Sequence, residues 1–325
     1  MITKEELAQV RAKAKSIKAM VIGDAMLDRY IYGTVDRMSP EAPVPILSHL
    51  HTTLKAGGAA NVALNLAAWG CRTSLAGLVG KDDHATTLKS LLEDHQIHHK
   101  LISVSNRPTT VKTRVVASSH HLLRIDEESS EYIYGEEETE VTREIMSFIK
   151  DEQPALIILQ DYNKGLLTES LIKKIIDYCR EHNVFVAVDP KEKNFLKYAN
   201  VDLFKPNLRE ASYAAGKALV NEDLPELSKK WRNDHLITTI AVTLGSQGIF
   251  LQDETGECTV KPGRSVDIVD VCGAGDAVIC SLALGLLTGL APQKGGELAN
   301  LTGAYVCSQS GVVAVNPDEI AAWLS

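Results

Sequence analysis

The chain has 325 residues, of which 45% are hydrophobic and 23% charged, and its formal net charge at pH 7 is −8. This composition predicts a folded chain with a sizeable core, and the negative charge argues against nucleic acid and anionic membrane surfaces as partners. Anionic substrates would therefore need lysines and arginines placed locally at the site. No linker or internal repeat divides the sequence, so we expect one domain over residues 1–325.

The cysteines and the first residues bear on the cellular compartment. The six cysteines form no C-x-x-C pair, and the ten histidines form no H-E-x-x-H motif. We therefore expect reduced thiols in a cytoplasmic protein, without a disulfide framework or a zinc site. Residues 1–18 are charged and no apolar run reaches 18 residues, so we expect no signal peptide and no membrane anchor.

Most of the predicted elements alternate between apolar strands and helices. The predicted helices cover residues 1–18, 57–70, 85–94, 139–150, 169–182, 208–215 and 277–290. The predicted strands between them cover residues 19–24, 73–79, 155–160, 184–188, 202–204, 240–244 and 249–252. Strands that are apolar throughout are covered on both faces, so this order predicts an α/β fold whose mostly parallel sheet lies between two layers of helices.

Four further segments alternate between apolar and polar residues. They cover residues 30–35, 43–50, 109–117 and 122–126. This alternation is typical of antiparallel strands with one solvated face, so we expect a small β lid over about residues 30–50 and 107–126. Exposed strand edges invite pairing with a second subunit, so we expect a homodimer formed through the lid strands.

A glycine-rich turn, Asp270-Val271-Cys272-Gly273-Ala274-Gly275-Asp276, precedes an apolar helix that closes near Gly289. Glycines allow backbone N–H groups to converge, and a helix N-terminus carries partial positive charge, so this turn predicts an anion site. Asp276 lies at its mouth, although a carboxylate repels phosphate. A chemical reason for placing it there would be to accept a proton from a hydroxyl that attacks the phosphate. The structural alternative is that Asp276 only caps the helix or interacts with its dipole.

Polar residues follow the predicted strands or begin the predicted helices. Ligands of open parallel sheets bind beyond the carboxyl ends of the strands. A strand-end aspartate is also a favoured helix cap, so each residue alone has a structural alternative. We expect the set to lie along one rim of the sheet: Asp24, Asp28, Asp161, Asp189, Asn207 and Asp276.

Two common nucleotide-binding motifs are missing. Gly80-Lys81 and Gly216-Lys217 lack the Ser or Thr and the upstream glycine of a phosphate-binding P-loop. The dinucleotide fingerprint G-x-G-x-x-G fails after Gly273 and Gly275, because Val278 occupies the third glycine position. The anion site is therefore of another type.

Two signatures of the sequence resemble those of the ribokinase-like (PfkB) carbohydrate kinases: Gly57-Gly58-x-x-Asn61 and Asp270-x-x-Gly273-Ala274-Gly275-Asp276. Between them, in the order found in that family, lie Lys205-Pro206-Asn207-x-x-Glu210 and Thr243-x-Gly245-x-x-Gly248. The resemblance covers essentially the whole chain. It implies a three-layer ribokinase-like fold with a small β lid.

The resemblance also implies ATP as phosphoryl donor, with Mg²⁺. Asp276 would take the proton from the attacking sugar hydroxyl, and the N–H groups of Gly273, Ala274 and Gly275 would hold the developing charge. Glu210 would hold the metal through water. The implied nucleotide-binding residues are Asn207, Leu208, Arg209, Glu210, Thr243, Gly245, Gly248 and Asn300. Their structural alternatives are a solvated helix residue, a plain strand turn and a helix-surface asparagine.

Four segments are similar to the branch of this family that phosphorylates D-glycero-β-D-manno-heptose 7-phosphate at O1, a step on the way to ADP-heptose and lipopolysaccharide. These segments are residues 23–30, residues 36–45, Asp161-Tyr162-x-Lys164-Gly165 and Asp189-Pro190-Lys191. The chain resembles the stand-alone form of that kinase. The implied substrate-binding residues are Asp28, Arg37, Gly57, Gly58, Asn61, Lys112, Arg114, Arg124, Asp161 and Lys191. The alternatives are another sugar or sugar-phosphate kinase, or a non-catalytic sugar-nucleotide sensor.

Three positions depart from the family pattern. Cys272 and Ala277 stand where the family usually has threonine, and Asn163 replaces a common glycine. The backbone N–H groups of the anion site do not depend on those side chains, so we expect modest effects on phosphate positioning. Asparagine tolerates the left-handed backbone conformation, so the turn at Asn163 is expected to persist.

Overall fold

The computed structural model describes residues 2–117 and 120–324. Its strands are β1 (Lys18–Gly23), β2 (Ala25–Met38), β3 (Pro45–Gly58), β4 (Arg72–Val79), β5 (His98–Ser103), β6 (Val111–Ala117), β7 (His120–Glu127), β8 (Leu156–Gln160), β9 (Phe185–Asp189), β10 (Leu203–Phe204), β11 (Thr239–Thr243), β12 (Ile249–Gln252) and β13 (Glu257–Val260). Its helices are α1 (Lys4–Ala14), α2 (Ala59–Ala68), α3 (Asp83–Asp94), α4 (Gly135–Glu152), α5 (Glu169–Glu181), α6 (Leu208–Ala215), α7 (Leu224–His235), α8 (Ala274–Leu287), α9 (Pro292–Cys307) and α10 (Pro317–Ala322).

The main sheet has the strand order β13-β12-β11-β10-β9-β8-β1-β4-β5. The neighbours from β11 across to β5 pair in parallel, whereas β12 and β13 run antiparallel. The central strand β8 reads Leu-Ile-Ile-Leu-Gln and is buried at every position. A strand without a polar face must be covered on both sides, which is what the mostly parallel arrangement provides.

The two faces of the main sheet carry separate apolar cores. One core holds residues of α1, α2, α3, α8 and α9, such as Leu66, Leu88 and Leu282. The other holds residues of α4, α5 and α7, such as Ile145 and Trp231. The predicted three-layer α/β arrangement is confirmed.

The lid is a second sheet with the order β3-β2-β6-β7. The pairs β2–β3 and β6–β7 are antiparallel, and β2–β6 is parallel. The predicted lid segments lie in this sheet, but its first two strands are longer than predicted and extend inward to Ala25 and Gly58. The inner part of β2 and the last three residues of β3, Ala56 to Gly58, are buried, whereas the outer parts of both strands are mostly exposed. The lid sheet is therefore anchored in the protein at its inner end.

The predicted strands and helices do not include β5, β13, α7 and α10, and α9 was expected only as a helix that carries Asn300. Strands β5 and β13 lie at the two edges of the main sheet, where a strand needs no continuous apolar run. Helix α7 buries only Leu224, Ser228 and Trp231, so its apolar stripe is weak. Within the described part of the chain, no helix combines the length and apolarity needed to cross a bilayer, and the six cysteines are free thiols.

Candidate active site

The turn before α8 is built on Gly273, which begins the helix with a φ of +81°. A Cβ at this position would lie 2.9 Å from the side-chain nitrogen of Asn61, so glycine is needed for both its φ and its closeness to α2. The turn is stabilised by a hydrogen bond within it: the N–H of Cys272 donates to Asp270 Oδ1 at 2.9 Å. The N–H of Ala274 donates to the carbonyl of Val271 at 3.3 Å.

The carboxylate of Asp276 does not cap α8. Its Oδ2 accepts from Asn61 Nδ2 at 2.7 Å, and its Oδ1 accepts from the Tyr162 hydroxyl at 2.9 Å and from Gln160 Nε2 at 3.4 Å. Asp276 is only 4% exposed. Three neutral donors from α2 and from the end of β8 therefore fix this side chain at the rim of the sheet.

Burial raises the pKa of Asp276 to about 7. The nearby charge of Asp189 raises it further, whereas the hydrogen bonds from Asn61 and Tyr162 and the charge of Lys205 lower it. A carboxylate with a pKa near neutrality is suited to accept a proton from an alcohol, because the proton transfer is then closer to balanced.

A buried cation lies beside the anion turn. Lys205, which follows β10, forms an ion pair with Asp189 Oδ1 at 3.1 Å, and Asp189 Oδ2 accepts from Gln160 Nε2 at 3.1 Å. A Cβ built on Gly275 would lie 3.9 Å from Lys205 Nζ. Positive charge is thus placed next to the backbone that is expected to hold the phosphoryl group.

Asn207 and Glu210 form a capping box at the start of α6. Asn207 Oδ1 accepts from the Glu210 N–H at 2.9 Å, and Glu210 Oε2 accepts from the Asn207 N–H at 2.8 Å. The other oxygen of Glu210 forms an ion pair with Lys191. Burial and the charge of Asp189 raise the pKa of Glu210, and the charges of Lys191 and Lys205 oppose that shift.

The donor set at Glu210 fits a metal held through water rather than a protein cage. Glu210 is 2% exposed and both of its oxygens already have protein partners. Among residues 2–117 and 120–324, no group of three or more His, Cys, Asp or Glu side chains is arranged to hold a metal ion. Mg²⁺ usually keeps several of its waters and uses few direct protein ligands, so this arrangement suits it.

The remaining residues that are expected to bind the nucleotide lie in or beside the β11–β12 hairpin. Thr243 forms a parallel bridge with Asn207, which brings the hairpin beside α6. Gly248 has a φ of +101°, and a Cβ there would lie 2.1 Å from the carbonyl oxygen of Val260. Asn300 of α9 donates from Nδ2 to the same carbonyl at 2.8 Å. Gly245, Leu208 and Arg209 lie in the same region, with Arg209 exposed.

On the lid side, Asp28 and Arg114 form a buried ion pair. Asp28 is 3% exposed, and the Arg114 guanidinium lies 5.2 Å from the centre of the Tyr30 ring. A Cβ on Gly57 would lie 2.1 Å from Asp28 Oδ2, which explains a glycine at that position, and Gly58 has a φ of +56°. The pair closes the inner end of the lid.

Several residues expected to contact the sugar phosphate have protein partners elsewhere. Lys191 lies on the Glu210 side of the site, and Asn61 donates to Asp276. Arg124 pairs with Asp126 at 2.9 Å on an exposed strand, and Lys112 lies 3.4 Å from Glu128. Arg37 is exposed on the outer part of β2.

Asp161 points into the protein interior. Its Oδ2 accepts from Asn194 at 2.9 Å and from the Tyr198 hydroxyl at 2.7 Å, and its Oδ1 accepts from the Asn163 N–H at 2.7 Å. Asp161 is 1% exposed. Its place is therefore to support the turn after β8, and the expectation that it contacts sugar is revised. The backbone at Asn163 has a φ of +56°, as expected for the turn.

Residues 16–319 match the pfkB family of carbohydrate kinases. The chain belongs to this family. Its relatives include the bifunctional protein HldE of Hyphomonas neptunium, 37% identical over 96% of the chain, and that of Methylobacillus flagellatus, 38% identical over 93%. The chain spans slightly less than two thirds of the length of these relatives, 64% and 62% respectively.

Solved structures agree with the fold of this PfkB kinase. Phosphofructokinase-2 from Escherichia coli superposes with a TM-score of 0.78 at 17% identity, covering 95% of this chain and 99% of that one. Ribokinase from Arabidopsis thaliana superposes with a TM-score of 0.72 at 18% identity, again covering 95% and 99%. The expected ribokinase-like architecture and carbohydrate kinase class are confirmed.

Sequence reasoning did not identify three side chains of the PfkB kinase site: Gln160, Tyr162 and Lys205. Gln160 and Lys205 lie where buried strands end. A polar residue at the end of an apolar run indicates a possible site residue, so the sequence did contain a signal for these two. Tyr162, like Lys205, enters the sequence analysis only as part of a motif. Its contact with Asp276 spans 114 positions and depends on side-chain direction, which sequence pattern does not give.

Proposed function

We propose that this carbohydrate kinase transfers the γ-phosphoryl group of ATP to O1 of D-glycero-β-D-manno-heptose 7-phosphate, as a step towards ADP-heptose and lipopolysaccharide. The observation that carries the chemistry is the Asp276 carboxylate, fixed by three neutral donors beside the anion turn. The choice of sugar is supported by the resemblance of residues 23–30 and 36–45 to the heptose branch.

In this proposal Asp276 accepts the proton of the sugar hydroxyl as it attacks the γ-phosphorus. General base catalysis of this kind contributes roughly 10²–10⁴-fold. The backbone N–H groups around Gly273 and Gly275, with Lys205 behind them, stabilise the charge that develops on the phosphoryl oxygens. Lys205 is held by Asp189, so the positive charge is in place before the substrates bind.

ATP would lie along α6, the β11–β12 hairpin and α9, and Mg²⁺ would be held through water near Asn207 and Glu210. The metal would supply positive charge at the phosphates. Lys191 would keep Glu210 oriented. The 7-phosphate would lie under the lid, where Lys112 and Arg114 are the nearest expected cations, with Arg37 and Arg124 further out.

A substrate panel tests the proposed reaction. With Mg²⁺ and ATP, we expect heptose 7-phosphate to give ADP with a kcat/KM at least about 100-fold above that of ribose, fructose 1-phosphate or fructose 6-phosphate, since a lost phosphate or hydroxyl contact leaves buried polar groups unpaired. Omission of Mg²⁺ should abolish turnover. Faster turnover of another sugar would refute heptose 7-phosphate as the substrate, whereas the assignment as a sugar kinase would stand.

We also propose that the lid strands join two copies of the chain. The outer lid exposes Met38, Leu50 and Leu123 at more than half of their surface, and such apolar strand surface is normally covered. Sedimentation velocity should give a dimer at micromolar concentration. The substitution Leu50→Glu with Leu123→Glu should give a monomer; a native monomer would contradict this interface.

A further inference from the structure

Tyr162 belongs to a motif that the reaction scheme above leaves without a role. It follows Asp161 in the turn after β8, and its side chain is half-buried at the rim of the sheet. Its hydroxyl donates to Asp276 Oδ1 at 2.9 Å. Because it is the only hydroxyl among the three donors described for Asp276, removing one oxygen atom tests this contact alone.

The backbone of Tyr162 is anchored independently of its side chain. Its N–H donates to Asp24 Oδ2 at 2.8 Å, and the Lys164 N–H donates to the same oxygen at 3.0 Å. Asp24 is buried where β1 passes into the lid strand β2. The turn that carries Tyr162 is therefore fixed to the junction of the main sheet and the lid.

The ring of Tyr162 also borders the nucleotide side of the site. Lys191 Nζ lies 5.4 Å from the ring centre, and the same ammonium group pairs with Glu210. The ring thus stands between the base and the capping box of α6. A cation over the ring face is favourable and holds the ring in place.

From this geometry we infer that Tyr162 is a positioning residue, which holds the Asp276 carboxylate in its ionised form and aims it at the sugar hydroxyl. This rests on the proposed role of Asp276 as the base. Burial and the charge of Asp276 keep the pKa of the Tyr162 phenol well above its ordinary value, so the phenol remains a donor at every working pH.

The charged and titratable groups around Asp276 come from several elements. Asp189 ends β9, Lys205 follows β10, and Cys280 lies one turn further along α8. Burial raises the pKa of the Cys280 thiol, so it stays neutral. The substitution Tyr162→Phe leaves all three groups in place, so a change in the pH profile can be assigned to the lost hydroxyl.

The test is the pH profile of kcat and kcat/KM for Tyr162→Phe, measured with whichever sugar of the panel the native enzyme uses best. Because the phenol stabilises the carboxylate, its loss raises the pKa of Asp276. Losing one hydrogen bond to a charged group should shift the acid limb of the profile upward by roughly one pH unit. At pH 7 kcat should fall about five-fold and recover at pH 9, with both KM values within about two-fold.

The matched control is Tyr198→Phe. Its hydroxyl also donates to a buried carboxylate, Asp161 Oδ2 at 2.7 Å. This control should lower thermal stability and leave the acid limb in place. Site-specific 3-fluorotyrosine at position 162 keeps the fold and strengthens the donor, so it should move the limb to lower pH.

An acid limb that stays in place in both Tyr162 variants would overturn the inference, whether or not kcat changes. The role of Asp276 is tested separately by Asp276→Asn. If Asp276→Asn is inactive and Tyr162→Phe has native kinetics, only the positioning role fails; if Asp276→Asn retains turnover, the proposed base itself fails.

Discussion

Replacing Asp276 by asparagine should reduce kcat by roughly 10²–10⁴-fold, because the amide cannot accept the sugar proton. Nucleotide affinity should stay within about three-fold of the native value, since the nucleotide-side residues Asn207, Glu210 and Thr243 make none of the hydrogen bonds described for Asp276. Stopped-flow turnover and equilibrium binding of a fluorescent ATP analogue measure the two quantities. Undiminished turnover would remove Asp276 from the mechanism.

The same variant has a second expected result, on stability. Burial raises the pKa of Asp276 to about 7 from an ordinary value of 3.8, so its favourable effect on folding is complete below about pH 4 and is lost as the pH rises through 7. Asparagine carries no charge to bury, and it can accept from Asn61 while donating to the Tyr162 hydroxyl. It gives up only the long 3.4 Å bond from Gln160, which keeps Asp189 as a partner. At pH 8 the variant should therefore unfold at a temperature no lower than the native protein, which would exclude misfolding as the cause of inactivity.

The parts of the fold that sequence pattern predicted are those whose signal is local. An apolar run such as β8 is readable because both of its faces are covered, whatever covers them. The edge strands β5 and β13 were not predicted, because an edge strand has a neighbour on one side only and its residues are partly polar. The glycine turn before Asp276 was readable for the same local reason: its backbone conformation requires glycine at position 273.

The site residues divide differently. Sequence pattern predicted that Asp189 and Asp276 lie along one rim of the sheet, and in the structure Gln160 donates to both of them. It could not tell that Asn61 faces the base or that Asp161 faces the interior, because neighbouring rotamers decide between such directions. For Asp161 the deciding partners, Asn194 and Tyr198, are 33 and 37 positions away.

The buried pair of Asp28 and Arg114 gives the largest expected effect on stability. In Arg114→Met the Asp28 carboxylate, only 3% exposed, loses its counter-ion. Removing one partner of a buried pair typically costs about 3–5 kcal/mol. Urea unfolding followed by fluorescence should therefore show a loss of this size in the free energy of unfolding.

The neighbouring pair on the same strand is the control. Arg29 pairs with Glu127 at 2.8 Å, but their side chains are 27% and 44% exposed. Solvent screens such a pair, so Glu127→Gln, which leaves the 2.8 Å bond from Arg29 Nε to Thr113 in place, should cost no more than about 1 kcal/mol. Equal losses in the two variants would mean that burial does not distinguish the pairs.

The double variant Asp28→Leu with Arg114→Met separates stability from function. With both charges replaced by apolar groups, most of the lost stability should return, apart from the contact of Arg114 with the Tyr30 ring. Activity should not return: if Asp28 accepts from a sugar hydroxyl, the KM for the sugar remains at least about ten-fold above the native value while the KM for ATP is unchanged. Recovery of sugar affinity along with stability would mean that the pair only supports the lid and that specificity lies elsewhere, most directly in the backbone of Gly57 and Gly58, which the substitutions leave in place.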